Sequence, residues 1–106
     1  MGFRFMPLIL GQRVNTEIAG AELEVIKKLG EGTQGEVYLV EGPDGYHAVK
    51  WYKSDQATPE QRAAILYLVR TGPPFGAAGK RFIWPCDLIT RPGSTQFGYL
   101  MSRIDT

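Results

Sequence analysis

The residues that build metal centres and covalent frameworks are nearly missing: the chain has one cysteine, Cys86, and one histidine, His47. One thiol cannot form an internal disulfide, and one thiol with one imidazole falls short of a structural zinc set. A lone cysteine suits a reducing compartment. The apolar lead, residues 1–10, is too short for a membrane-spanning helix, which takes roughly 20 residues. No small-residue cleavage pattern follows it. Gly2 follows Met1, but Met6 stands where a myristoylation signal has Ser or Thr. An excess of one charge is lacking too: 12 Lys and Arg against 11 Asp and Glu leave +1, with no basic stripe interleaved with aromatics. These absences point away from nucleic acid and membrane, and toward a cytoplasmic protein.

Glycine and proline, by contrast, are plentiful. Thirteen glycines and seven prolines in 106 residues imply many turns, hence short strands rather than a helix bundle. The length fits one compact domain, and 43% apolar with 22% charged residues is ordinary for a globular protein. So short a chain buries a limited share of its surface, which predicts a small stability margin.

Alternation of apolar and polar side chains predicts strands at residues 22–29 (with a possible bulge), 36–41, 46–52, 82–90 and 95–101. Residues 12–19 alternate loosely and predict a hairpin or an edge strand. Gly42-Pro43-Asp44-Gly45 and Arg91-Pro92-Gly93-Ser94 read as turns. Pro85 argues for an edge or irregular position. One helix is predicted, with Thr58 as N-cap, Pro59 at the first helical position, Gln61 in the capping-box position and Gly72-Pro73-Pro74 as its end. The expected architecture is α+β: an antiparallel sheet of about five strands with one packed helix, plus an N-terminal strand extension. Trp51 and Trp84 read as packing residues, His47 as a strand surface residue, Cys86 as a small apolar filler and Arg103 as exposed.

The stretch that carries chemistry runs from Leu29 to Val37 and spells L-G-x-G-x-x-G-x-V, with Gly30, Gly32 and Gly35 as its glycines. On its own the pattern also fits a dinucleotide-binding turn, but there a helix follows, whereas here a strand does. Glycines in such a hairpin let backbone N–H groups approach phosphate oxygens; they also permit a tight hairpin with no ligand at all. Leu29 and Val37 flank the turn and can face a flat aromatic base. Lys50 follows Ala48 and Val49 on the strand after the next turn.

Together these residues resemble the N-terminal lobe of a protein kinase, in the form found in bacterial eukaryotic-type Ser/Thr kinases. The resemblance covers about residues 22–104, with residues 1–21 as an N-terminal extension and residues 22–106 as the lobe. Ala48-Val49-Lys50 is similar to the kinase lysine strand, and residues 97–104 to the strand that enters the interlobe hinge. The resemblance implies that Lys50 orients ATP phosphates, that Ala48 packs on adenine, that Met101 is the gatekeeper, and that Ser102 and Ile104 bond the adenine edge. It implies ATP and Mg2+ as cofactors of a complete enzyme, a protein substrate, and a C-lobe partner.

Two departures accompany it. Kinases pair the strand lysine with a glutamate in the middle of their helix, yet residues 61–71 contain no carboxylate. Glu60, in the first turn, favours the helix dipole or reaches Lys50. The chain also holds neither an H-R-D nor a D-F-G motif, so it is expected to be inactive alone and to be a piece of a longer kinase. A pseudokinase or regulatory lobe, and a protein-interaction module that never meets nucleotide, are the alternatives. Apolar surface at Leu29, Val37, Met101 and Ile104, uncovered without a C-lobe, implies self-association.

Overall fold

The protein is seen in a computed structural model that describes residues 7–43, 45–53, 55–72, 85–91 and 93–101. In chain order its elements are β1 (Arg13–Thr16), β2 (Glu22–Glu31), β3 (Gly35–Gly42), β4 (Gly45–Tyr52), α1 (Pro59–Thr71), β5 (Pro85–Thr90) and β6 (Phe97–Met101). All strand pairings are antiparallel, and the six strands close into a barrel in the order β1-β2-β3-β4-β6-β5.

The expected open, five-stranded, kinase-like sheet is therefore corrected. The N-terminal strand does not lie along one edge but joins both. β1 pairs with β2 through Val14↔Leu23 and with β5 through Asn15↔Thr90 and Thr16↔Ile89. Bulges supply the curvature that brings the edges together. β2 shifts register between Val25 and Lys27 and again between Lys28 and Gly30, and β5 shifts between Pro85 and Asp87. Alternation reports which side of a strand is buried, and that side is the same in an open and a closed sheet. The pattern alone could not distinguish them.

Closure is held by a side chain. Asp87 is 4% exposed. Its Oδ1 accepts from the backbone N–H groups of Ile18 at 2.9 Å and Leu88 at 2.8 Å, and its Oδ2 from that of Ala19 at 3.0 Å. The β1–β2 turn is thus tied to β5. Glu17 N–H adds a bond to Leu88 C=O at 2.9 Å. Within the turn, Thr16 Oγ1 accepts from Ala21 N–H at 2.6 Å, and Gly20 takes the left-handed conformation (φ 71°) that side chains avoid. Arg62 of α1 donates to Glu17, which anchors the helix to the same turn.

Side chains on alternate positions fill the barrel: Val14, Leu23, Val25, Tyr38, Val40, Val49, Trp51, Ile89 and Leu100, with Leu8 packed against them. Trp51 is fully buried. The Arg91 guanidinium lies 5.0 Å from its ring centroid and donates to Pro7 C=O at 3.1 Å and Gln96 Oε1 at 3.2 Å. Burial lowers the Arg91 pKa from its ordinary value, and the aromatic face and two acceptors replace part of the lost water.

A second cluster lies outside the barrel, where Ile65 of α1 meets Tyr52, Leu88 and Phe97. Thr58 caps α1, accepting from Gln61 N–H at 3.1 Å, and Gly72 (φ 79°) ends it with a bond to Leu68 C=O at 3.0 Å. Gln61 does not close a capping box, because its side chain donates to Tyr52 Oη at 2.9 Å. Two further expectations change. His47 is buried, with Nδ1 3.3 Å from Met101 C=O, rather than on the strand surface. Cys86 is exposed at the β5 bulge rather than packed, its Sγ 3.3 Å from Leu100 C=O. Trp84 and Arg103 lie outside the described residues. No helix among the described residues is long and apolar enough to cross a membrane.

Replacing Asp87 with Ala removes the acceptor for three N–H groups. The expected loss of stability is about 2–4 kcal/mol, read from urea unfolding followed by Trp fluorescence. A change below about 0.5 kcal/mol, the level of an ordinary surface substitution, would show that closure does not depend on this carboxylate.

Candidate functional site

Outward-facing residues of β3, β4 and β6 form a row. Val37 is the register partner of Lys50, and Lys50 is the partner of Tyr99. Period-2 alternation separates the two faces of β4: Val49 and Trp51 point into the barrel, while Lys50 and Tyr52 point out. Residues 32–34, between β2 and β3, overhang this row. Beneath them is a cleft of about 560 Å³ lined by Gly30, Glu31, Gly32, Thr33, Gln34, Gly35, Val37, Lys50, Tyr99 and Met101.

Of the residues picked out from sequence, Gly30, Gly32, Gly35, Val37, Lys50 and Met101 share this cleft. Leu29 does not line it. The second β2 bulge turns Leu29 outward, where it is 47% exposed. Ala48 is buried and away from the lining. Ser102 and Ile104 lie outside the described residues. Gln34 and Tyr99 were not picked out. Tyr99 could have been found from strand pairing, since an outward position on β6 must sit beside one on β4.

Lys50 Nζ donates to Gln34 Oε1 at 2.8 Å and lies 5.5 Å from the centroid of the Tyr52 ring. Among the described residues no carboxylate forms an ion pair with it. Glu60 stands in the first turn of α1, suited to the helix dipole, and is not Lys50's partner. The cleft does contain one acid, Glu31, but Lys28 holds it at 2.7 Å and also reaches Glu36 Oε2 at 2.6 Å. Glu36 in turn accepts from Tyr38 Oη. The Lys28 bond lowers the Glu31 pKa, while the bonds to Glu31 and Glu36 raise that of Lys28. Burial, with help from Glu36, raises the Tyr38 pKa, and burial also raises that of Tyr99. Glu31's charge is thus answered from outside the cleft, which leaves Lys50 as the uncompensated charge within it.

The glycines divide into two kinds. A Cβ on Gly35 would lie 2.1 Å from Trp51 C=O oxygen, and one on Gly98 would lie 2.1 Å from Lys50 C=O oxygen. These two glycines let β3 and β6 press against β4 from either side. Gly30 and Gly32 meet nothing within 4 Å and have no left-handed φ. Neither packing nor backbone conformation explains them, so the bare backbone faces open cleft. The overhang is fixed at its base by Lys53 N–H bonded to Gln34 C=O at 2.8 Å and Gly32 N–H bonded to Gly35 C=O at 2.9 Å.

Chemically, the site offers one ammonium, a side-chain amide, an approach unobstructed by side chains at Gly30 and Gly32, and a wall of Val37, Met101 and Tyr99. That combination suits an anion with a flat apolar appendage. Among the described residues no group of three or more His, Cys, Asp or Glu side chains is arranged to hold a metal ion. No protein-family model and no curated protein matches the chain.

Alanine substitutions separate the two kinds of glycine. Gly35→Ala is expected to cost about 2–4 kcal/mol in urea unfolding, because backbone must move. Gly30→Ala and Gly32→Ala should each stay within about 0.5 kcal/mol of the parent, since added methyl groups meet open space. Equal losses at all three positions would contradict this division.

Proposed function

We propose that this chain is the ATP-binding lobe of a Ser/Thr protein kinase and that phosphoryl transfer belongs to the complete protein with its C-lobe. The observation that carries the reading is the Lys50 ammonium, unneutralised by any carboxylate among the described residues, beneath a turn whose Gly30 and Gly32 have no structural need to be glycine. A fixed cation is a usual means of holding a polyphosphate, and with no side chain at Gly30 or Gly32 the anion can come close to the turn, although the Gly32 N–H is itself bonded to Gly35 C=O. Val37, Met101 and Tyr99 supply an apolar wall for a base. ATP therefore fits the residues present, whereas Mg2+ finds no ligand cluster among them and would be held by groups of the C-lobe. In this reading the lobe positions phosphates and stabilises their charge, and proton transfer falls to the other lobe. A cytoplasmic location goes with it, where ATP is abundant and Cys86 stays reduced.

A second reading is favoured by one observation. No acid of α1 reaches Lys50, which suits a nucleotide-binding lobe without catalysis, a pseudokinase with a regulatory role. Autophosphorylation of the complete gene product, with and without Lys50, decides between the two.

For the chain itself, titration calorimetry should find weak ATP binding, with Kd about 10⁻⁴ M or above, because only part of a pocket is present. Lys50→Ala should weaken it by about tenfold or more, the scale of one charge-assisted phosphate contact. ATP binding that is indifferent to Lys50→Ala would refute the placement of the phosphates.

A further inference from the structure

Gln34 and Lys50 are 16 residues apart, yet their side chains meet at 2.8 Å. An ammonium group has donors only, so the carboxamide atom facing it must be the oxygen. The amide nitrogen of Gln34, with two N–H donors, is then turned away from Lys50. Both residues line the same cleft. The Gln34 backbone is fixed, since its C=O accepts from Lys53 N–H and the next residue, Gly35, is pressed against Trp51 C=O. The amide is therefore presented from a rigid base rather than from a loose loop tip. Lys50 Nζ also lies 5.5 Å from the centroid of the Tyr52 ring, and Gln61 of α1 holds that ring by its hydroxyl.

We propose that Gln34 is the positioning residue for Lys50: its carboxamide oxygen holds the ammonium in the cleft without cancelling its charge, while its N–H groups are offered to the same polyphosphate anion. The inference rests on the nucleotide reading above for the identity of that anion, but not for the pairing itself. A carboxylate at this place would fix the lysine equally well. It would also neutralise it and set a negative charge against the ligand. An amide does neither, which explains how a lysine with no acidic partner among the described residues can still be held in one place.

The test uses the full chain, its Gln34→Ala and Gln34→Glu variants, and two probes, inorganic tripolyphosphate and ATP. In the parent, the Lys50 side-chain ammonium should give an NMR signal protected from solvent exchange. Gln34→Ala should lose that protection and bind tripolyphosphate about threefold to tenfold more weakly. Gln34→Glu should keep the protection yet bind at least about tenfold more weakly, because the added carboxylate opposes the anion. Gln34 is on an exposed turn, so thermal unfolding should be unchanged in both variants. Unchanged ammonium protection in Gln34→Ala overturns the pairing. Tripolyphosphate binding by Gln34→Glu as tight as by the parent overturns the electrostatic role. A parent chain that binds neither probe, with Gln34-dependent protection intact, overturns the nucleotide reading and the ligand half of this proposal while leaving the pairing in place.

Discussion

The structure depends on one buried carboxylate. Asp87 accepts three backbone N–H groups, two of them from a turn nearly 70 residues earlier in the chain. Without that pin, β1 would meet β5 through only the short Asn15–Thr16 pairing and the neighbouring Glu17 bond. Buried acceptors of this kind are effective because the alternative is donors stripped of water with nothing to bond. Once the ring closes, its curvature is fixed, and with it the outward row of Val37, Lys50 and Tyr99.

β4 is the strand on which interior and exterior meet. Its inward residues, Val49 and Trp51, belong to the barrel core. Tyr52, pointing outward, packs under α1 and lies 5.5 Å from Phe97 and 5.9 Å from Tyr99 between ring centroids. Gly35 and Gly98 let the neighbouring strands approach β4 on either side. Lys50 therefore stands on a well-packed strand, and a rigid support of this kind keeps a charged group in place when its partners are few.

Local chemistry made much of this legible. The cap at Thr58, Pro59 at the helix start and Gly72 at its end act over a few residues, and α1 runs from Pro59 to Thr71 as they imply. The pairing of β3 with β4 up to Gly42 and Gly45 follows from turn residues and alternation. What could not be read depends on contacts between distant parts. Nothing near Asp87 in sequence marks it as the closing residue. The bulge that turns Leu29 out, the burial of His47 and the choice of Gln61 for Tyr52 Oη are set by neighbouring strands. Within the glycine-rich turn, the spacing drew attention to the glycines, whereas Gln34, an unspecified position of the pattern, supplies Lys50's hydrogen-bond partner.

Ring closure has a consequence for how the molecule meets others. An open sheet ends in two rows of unpaired backbone N–H and C=O groups, ready templates for a foreign strand. Here the first and last strands of the sheet bond to each other, so that template is largely used up. Strand addition is a poor route onto this surface. The apolar surface that remains is carried by side chains such as Tyr67 on α1 and Leu29 beside the cleft, both well exposed.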